Sequence, residues 1–120
     1  MKINALKKML LFAALMLLFT VNALAQDKSK DGAKAVTTYM KEQLTLNDGQ
    51  YTKVYDVNLT FLKKVADNNK KLKGPERVKK LRVLEEERDT KLKSVLSEDQ
   101  FKNYVGNKAA NRKKIAEYYQ

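Results

Sequence analysis

The stretch 51–75, YTKVYDVNLTFLKKVADNNKKLKGP, decides how the rest of the chain is read. Tyr51, Tyr55, Asn58, Leu62, Val65, Asn69 and Leu72 follow one another in alternating steps of four and three, and Val54 and Phe61 widen the stripe. That spacing places one face of an α-helix against a neighbour. Its span of about 22 residues makes roughly 33 Å of helix at 1.5 Å per residue. Gly74-Pro75 then stops it, because Gly accepts the left-handed backbone after a helix end and Pro suits the first turn of the next helix. The dipeptide reads as the tip of a long antiparallel helical hairpin.

Outward from that tip the same steps continue. A third helix is expected from Pro75 to about Leu96, with Val78, Leu81, Leu84, Leu92 and Val95 on one face and Arg88 interrupting them. Arg88 either lays its stem in the seam and pairs its head with a carboxylate of a neighbouring helix, or lines a binding face. Upstream, Ala33, Val36, Met40 and Leu44 mark a short first helix, with the polar residues 26–32 expected to lie frayed outside it. Downstream, a fourth helix is expected after Ser97, carrying Phe101, Val105, Ala109, Ala116 and Tyr119. Tyr39, Tyr51, Tyr55 and Tyr104 fall at helical spacing and read as core or subunit seam, and Tyr118 and Tyr119 as exposed. No alternating strand pattern occurs, so the class is all-α: short N-terminal helix, long antiparallel hairpin and C-terminal helix.

The first 25 residues read differently. Lys2, Lys7 and Lys8 precede an almost wholly apolar run from Met9 to Val21, and Ala23-Leu24-Ala25 is a small-x-small cleavage site. The run is short of the roughly 20 residues a membrane-spanning helix needs. Residues 1–25 are therefore expected to be a secretory signal cleaved before Gln26, with a retained anchor as the competing reading. Residues 26–120 then form a single helical domain, periplasmic or secreted. Of the 120 residues, 25 are Lys or Arg and 14 are Asp or Glu; three of those bases lie in the signal, so the net charge of +11 becomes +8. The apolar share falls from 43% to about 35%, below the roughly 45–50% of an ordinary globular domain. Such a chain has a thin core, which long amphipathic helices and a second copy of the chain would complete.

Two helix starts repeat one pattern. Leu46-Asn47-Asp48-Gly49-Gln50-Tyr51 and Leu96-Ser97-Glu98-Asp99-Gln100-Phe101 each offer a capping residue, Asn47 or Ser97, and a Gln three positions later, Gln50 or Gln100. The cap side chain accepts a free backbone N–H and the Gln reaches back to the cap's own N–H, forming a capping box. Leu46 on Tyr51 and Leu96 on Phe101 would add a hydrophobic staple. On physical grounds these motifs start helices and carry no chemistry.

Leu-Ser/Thr-x-x-Gln, present twice in a small exported helical chain, resembles the Spy/CpxP family of periplasmic proteins. Leu96-Ser97-Glu98-Asp99-Gln100 matches that repeat, whereas Leu46-Asn47-Asp48-Gly49-Gln50 has Asn where Ser or Thr is usual. The resemblance implies a cradle-like homodimer acting in the envelope as an ATP-independent chaperone or a stress-response modulator. It implies unfolded or partly folded polypeptides as partners, with an envelope sensor protein as a further possible one. Zinc, which some relatives bind, is not carried over, because the chain has neither His nor Cys. No cofactor or metal is expected.

The charge is concentrated. Lys63, Lys64, Lys70, Lys71, Lys73, Arg77, Lys79, Lys80 and Arg82 face only Asp67 and Glu76 between residues 63 and 82, which places +7 around the tip. This is either a solvated face or a capture zone that attracts acidic segments and offers Phe61, Leu62 and Leu72 for apolar contact. Anionic lipid or lipopolysaccharide is the alternative partner for a basic helical hairpin; nucleic acid is disfavoured, since no recognition module is visible. Catalysis is not expected. Without His or Cys there is no Ser-His-Asp or Cys-His arrangement, the contiguous Glu85-Glu86-Glu87 fans around its helix, and the four isolated glycines form no phosphate loop.

Overall fold

The computed structural model describes residues 28–118; the expected signal at 1–25 and Tyr119 lie outside them. The described chain is all-helical, with five helices and no strand. We number them α1 (28–44), α2 (Asp48–Lys71), α3 (Gly74–Val95), α4 (Glu98–Gly106) and α5 (Lys108–Ala116). No helix among the described residues is long and apolar enough to cross a membrane.

α1 already covers residues 28–32, which were expected outside it. The reason is packing by small residues. Ser29 and Ala33 are buried, and a Cβ added at Gly32 would stand only 3.2 Å from Leu62 Cδ1. Close approach needs no bulky side chain, so the apolar count misses this turn. At the other end Thr45 adopts φ 55, the left-handed position where Gly is usual after a helix.

α2 and α3 lie side by side. Gln50 meets Val95, Phe61 meets Arg88, Lys64 meets Glu87 and Asn68 meets Arg77, so the contacts descend one helix as they climb the other. The core falls into two clusters. Val36, Met40, Leu44, Leu46, Val54, Leu92, Leu96 and Tyr104 pack near the two motifs, and Ala33, Phe61, Leu62 and Leu84 pack midway along the helices. Beyond them, toward residues 72–75, the apolar seam gives out. Val78 is 52% exposed there, and polar groups take over. Asn68 Nδ2 donates to Arg77 O, while Arg77 Nε donates to Leu72 O and its Nη2 to Asn69 O. Asn68, and not the expected Asn69, is the buried member of the pair. Gly74 takes φ 61 at the reversal, a backbone that its missing Cβ tolerates.

The expected fourth helix is two. Asn107 stands between α4 and α5 with φ −102 and ψ 10. The buried positions are Tyr104 and Asn111, whereas Val105 is 47% exposed and Ala109 and Ala116 are also exposed. The apolar spacing of Val105, Ala109 and Ala116 had pointed to the wrong face, because the large Tyr104 outcompetes a valine for the buried position.

Candidate functional site

At the motif end, four helix termini meet. The Asn47 side chain accepts from Gln50 N at 2.7 Å and the Asn47 N–H donates to Gln50 Oε1; Ser97 and Gln100 repeat this, with Ser97 N to Gln100 Oε1 at 2.9 Å. The two glutamines also bind each other. Gln50 Nε2 donates to Gln100 Oε1 at 2.7 Å, and Gln100 Nε2 returns a bond to Gln50 Oε1 at 3.1 Å. Each Nε2 then uses its second hydrogen on a helix end: Gln50 on Val95 O and Gln100 on Leu44 O. Every donor and acceptor site of the two amides is therefore used. This clasp ties the ends of α1 and α3 to the starts of α2 and α4. Leu46 and Leu96 beside the caps are buried.

Next to the clasp lies a second polar cluster. Arg88 is buried on α3, with its guanidinium 4.2 Å from the Phe61 ring centroid and 5.9 Å from that of Tyr104. Among the described residues it forms no ion pair, and its Nε has no hydrogen-bond partner. The expected carboxylate is replaced by an aromatic face, whose negative quadrupole attracts the cation in a dry site. Buried at 5% exposure, Arg88 does not line an open binding face either. Tyr104 donates its hydroxyl to Asp89 at 2.8 Å, and Asp89 also pairs with Lys108. Burial pushes the Tyr104 phenol well above its ordinary value; the hydrogen bond to Asp89 adds to this and Arg88 opposes it.

At the opposite end the bases divide. Lys64 pairs with Glu87 and Lys71 with Asp67. Arg77 is taken up by the carbonyls of Leu72 and Asn69 and acts as a tie at the end of α2, so it is not a free base of the surface. Lys63, Lys70, Lys73, Lys79, Lys80 and Arg82 are exposed and in no ion pair among the described residues.

The apolar partners named from the sequence need correction. Phe61 and Leu62 are 6% and 0% exposed and belong to the core; only Leu72 is half-buried and reachable. The reason is geometric: 61 and 62 point at α1 and α3 from the centre of α2, while 72 ends that helix beyond the core. A groove of about 420 Å³ opens beside Leu72, with Lys64, Lys71 and Lys80 around it and Leu84 and Asn68 in its wall. Leu84 and Asn68 carry no sequence signal for this place, since a groove between two helices depends on their pairing. Among the described residues no group of carboxylates is placed to hold a metal ion.

No curated protein and no solved structure matches the chain. A family model does, over residues 22–104, and by that match the chain belongs to the family described as Domain of unknown function (DUF4890).

Proposed function

We propose that this is an exported, ATP-independent chaperone-like protein that holds unfolded or partly folded polypeptides on the basic end of α2 and α3. The observation that carries this reading is the separation from the core of six bases that are in no ion pair among the described residues, beside an apolar groove. Positive potential speeds encounter with acidic segments, and lysine stems beside a small apolar floor give weak, adaptable contacts. Such contacts release a client once it buries its own apolar surface. Binding, not catalysis, is the activity proposed. α2 and α3 form the wall of a cradle as an antiparallel hairpin, and a second copy completes it as a homodimer, in keeping with the thin core and with the Leu-Ser/Thr-x-x-Gln resemblance to the Spy/CpxP family. Secretion to the periplasm or beyond follows from the signal-like residues 1–25.

Val78, exposed among the tip bases, favours one second reading, in which the same end docks on an anionic lipid surface or modulates an envelope partner there. Light scattering of a denatured client with and without the protein separates the two. Suppressed aggregation at a few-fold molar excess is expected; unchanged aggregation removes the chaperone reading.

A further inference from the structure

We propose that the groove beside Leu72 takes an acidic polypeptide segment anchored by one apolar side chain. This rests on the polypeptide-binding reading above and gives it a site and an occupant. The groove encloses about 420 Å³, within the range of sites that enclose small ligands, and its floor is Leu72 and Leu84. Leu84 is buried, but Leu72 is only half covered, so an incoming apolar side chain removes further Leu72 surface from water.

The rim decides the occupant. Lys80 is in no ion pair among the described residues, and Lys64 and Lys71 hold Glu87 and Asp67 only in exposed pairs at 3.2 and 3.1 Å. Exposed pairs of this kind are worth about 0–1 kcal/mol, so a ligand carboxylate can replace either acid. Carboxylates freed this way accept hydrogen bonds, which a peptide's backbone N–H groups supply. A lipid phosphodiester has a negative charge for the lysines but lacks the row of backbone N–H donors that a peptide offers to Asp67 and Glu87. A polypeptide meets both halves of the rim. The surrounding Lys63, Lys70, Lys73, Lys79 and Arg82 extend the positive field outward and disfavour basic segments.

The test uses the full chain and a fluorescein-labelled peptide with one Phe flanked by Glu on both sides, followed by anisotropy. Its counterpart carries Lys in place of Glu. Two double variants are compared: Lys71→Glu with Lys80→Glu at the groove, and Lys102→Glu with Lys113→Glu on α4 and α5. Both change the net charge equally, and all four lysines are exposed. The groove pair is expected to weaken the acidic peptide about tenfold, Leu72→Gln to weaken it as well, and the α4/α5 pair to leave it nearly unchanged. Equal loss in both pairs, equal binding of the Lys peptide, or binding confined to vesicles of equimolar phosphatidylcholine and phosphatidylglycerol overturns the proposal. Client aggregation separates this from the broader reading. If the groove pair binds the acidic peptide and suppresses aggregation as well as the unaltered protein does, the groove is rejected and the chaperone reading stands. If the unaltered protein suppresses nothing yet binds the acidic peptide in a groove-dependent way, the chaperone reading falls and the groove stands.

Discussion

The two ends of the α2–α3 pair solve the same problem, closing a helix reversal, with opposite chemistry. At one end Gln50 and Gln100 satisfy every polar site of their amides against each other, two caps and two helix ends, on top of the larger apolar cluster. At the other, Asn68 and Arg77 tie the turn through backbone carbonyls, Asn68 Oδ1 has no partner among the described residues, and exposed lysines, two of them in loose surface pairs, surround a half-open groove. A closed set of hydrogen bonds between two glutamines sits at the motif end; charge and accessible apolar surface sit at the tip. A binding surface needs the second kind of end, and a thin-cored chain survives having one because the first kind holds four helices together.

Removing apolar side chains from the middle and from the tip should show most strongly how the packing thins toward the tip. Leu62→Ala, at a fully buried position, is expected to cost about 2–5 kcal/mol in urea unfolding, whereas Leu72→Ala should cost well under half of that. Similar losses would mean that the tip is packed as firmly as the middle. Next comes the clasp. Gln100→Ala strands the part-buried partners of its amide, Leu44 O and the Gln50 amide, and is expected to cost about 1–3 kcal/mol. In a double-mutant cycle Gln50→Ala should then add much less than it costs alone, and simple additivity would show the two glutamines to be uncoupled.

Tyr104→Phe removes the bond to Asp89 and should cost about 1–2 kcal/mol at neutral pH. It also tests a pH effect. The folded phenol holds its proton more tightly than the unfolded one, so its contribution is complete below pH 10, the ordinary value, and is lost as pH rises beyond it. Alkaline unfolding of the native chain should therefore be steeper than that of the Phe variant; parallel curves would contradict this. Thr45→Gly relieves a left-handed, β-branched residue and should stabilise by about 1 kcal/mol, read as a rise in the urea midpoint. The smallest effect belongs to the tip. Replacing Lys70, Lys71, Lys73, Lys79 and Lys80 by Gln should move stability by less than about 0.5 kcal/mol, while weakening client capture and its dependence on salt. A large fall in stability would mean that these bases hold the fold.

How much of this was legible depended on distance along the chain. The helical class shows in the three-and-four steps of Tyr51 to Leu72, and a cap such as Ser97 with Gln100 involves only neighbours. What the sequence hid lies between helices. The bond between Gln50 and Gln100 joins positions 50 residues apart, and no spacing rule links them. Arg88 was expected to seek a carboxylate because charge pairing is the commoner solution, yet Phe61 occupies the facing position. Asn68 and Asn69 differ by one step of the helix, which the apolar pattern could not resolve without a partner surface. Phe61 and Leu62 were offered as binding residues because hydrophobicity alone does not tell a core position from an accessible one.

The spacing of the two ties sets how much chain entropy each takes to close. Asn68 and Arg77 are nine residues apart and Gln50 and Gln100 fifty. Closing the longer loop costs about 1.5 kcal/mol more in chain entropy at the three-halves power of length. The tie beside Gly74 is thus the one that costs the chain less entropy to close, and the clasp the one that costs more. The end proposed to capture other chains in unfolded form is the end whose own closure takes the least chain entropy.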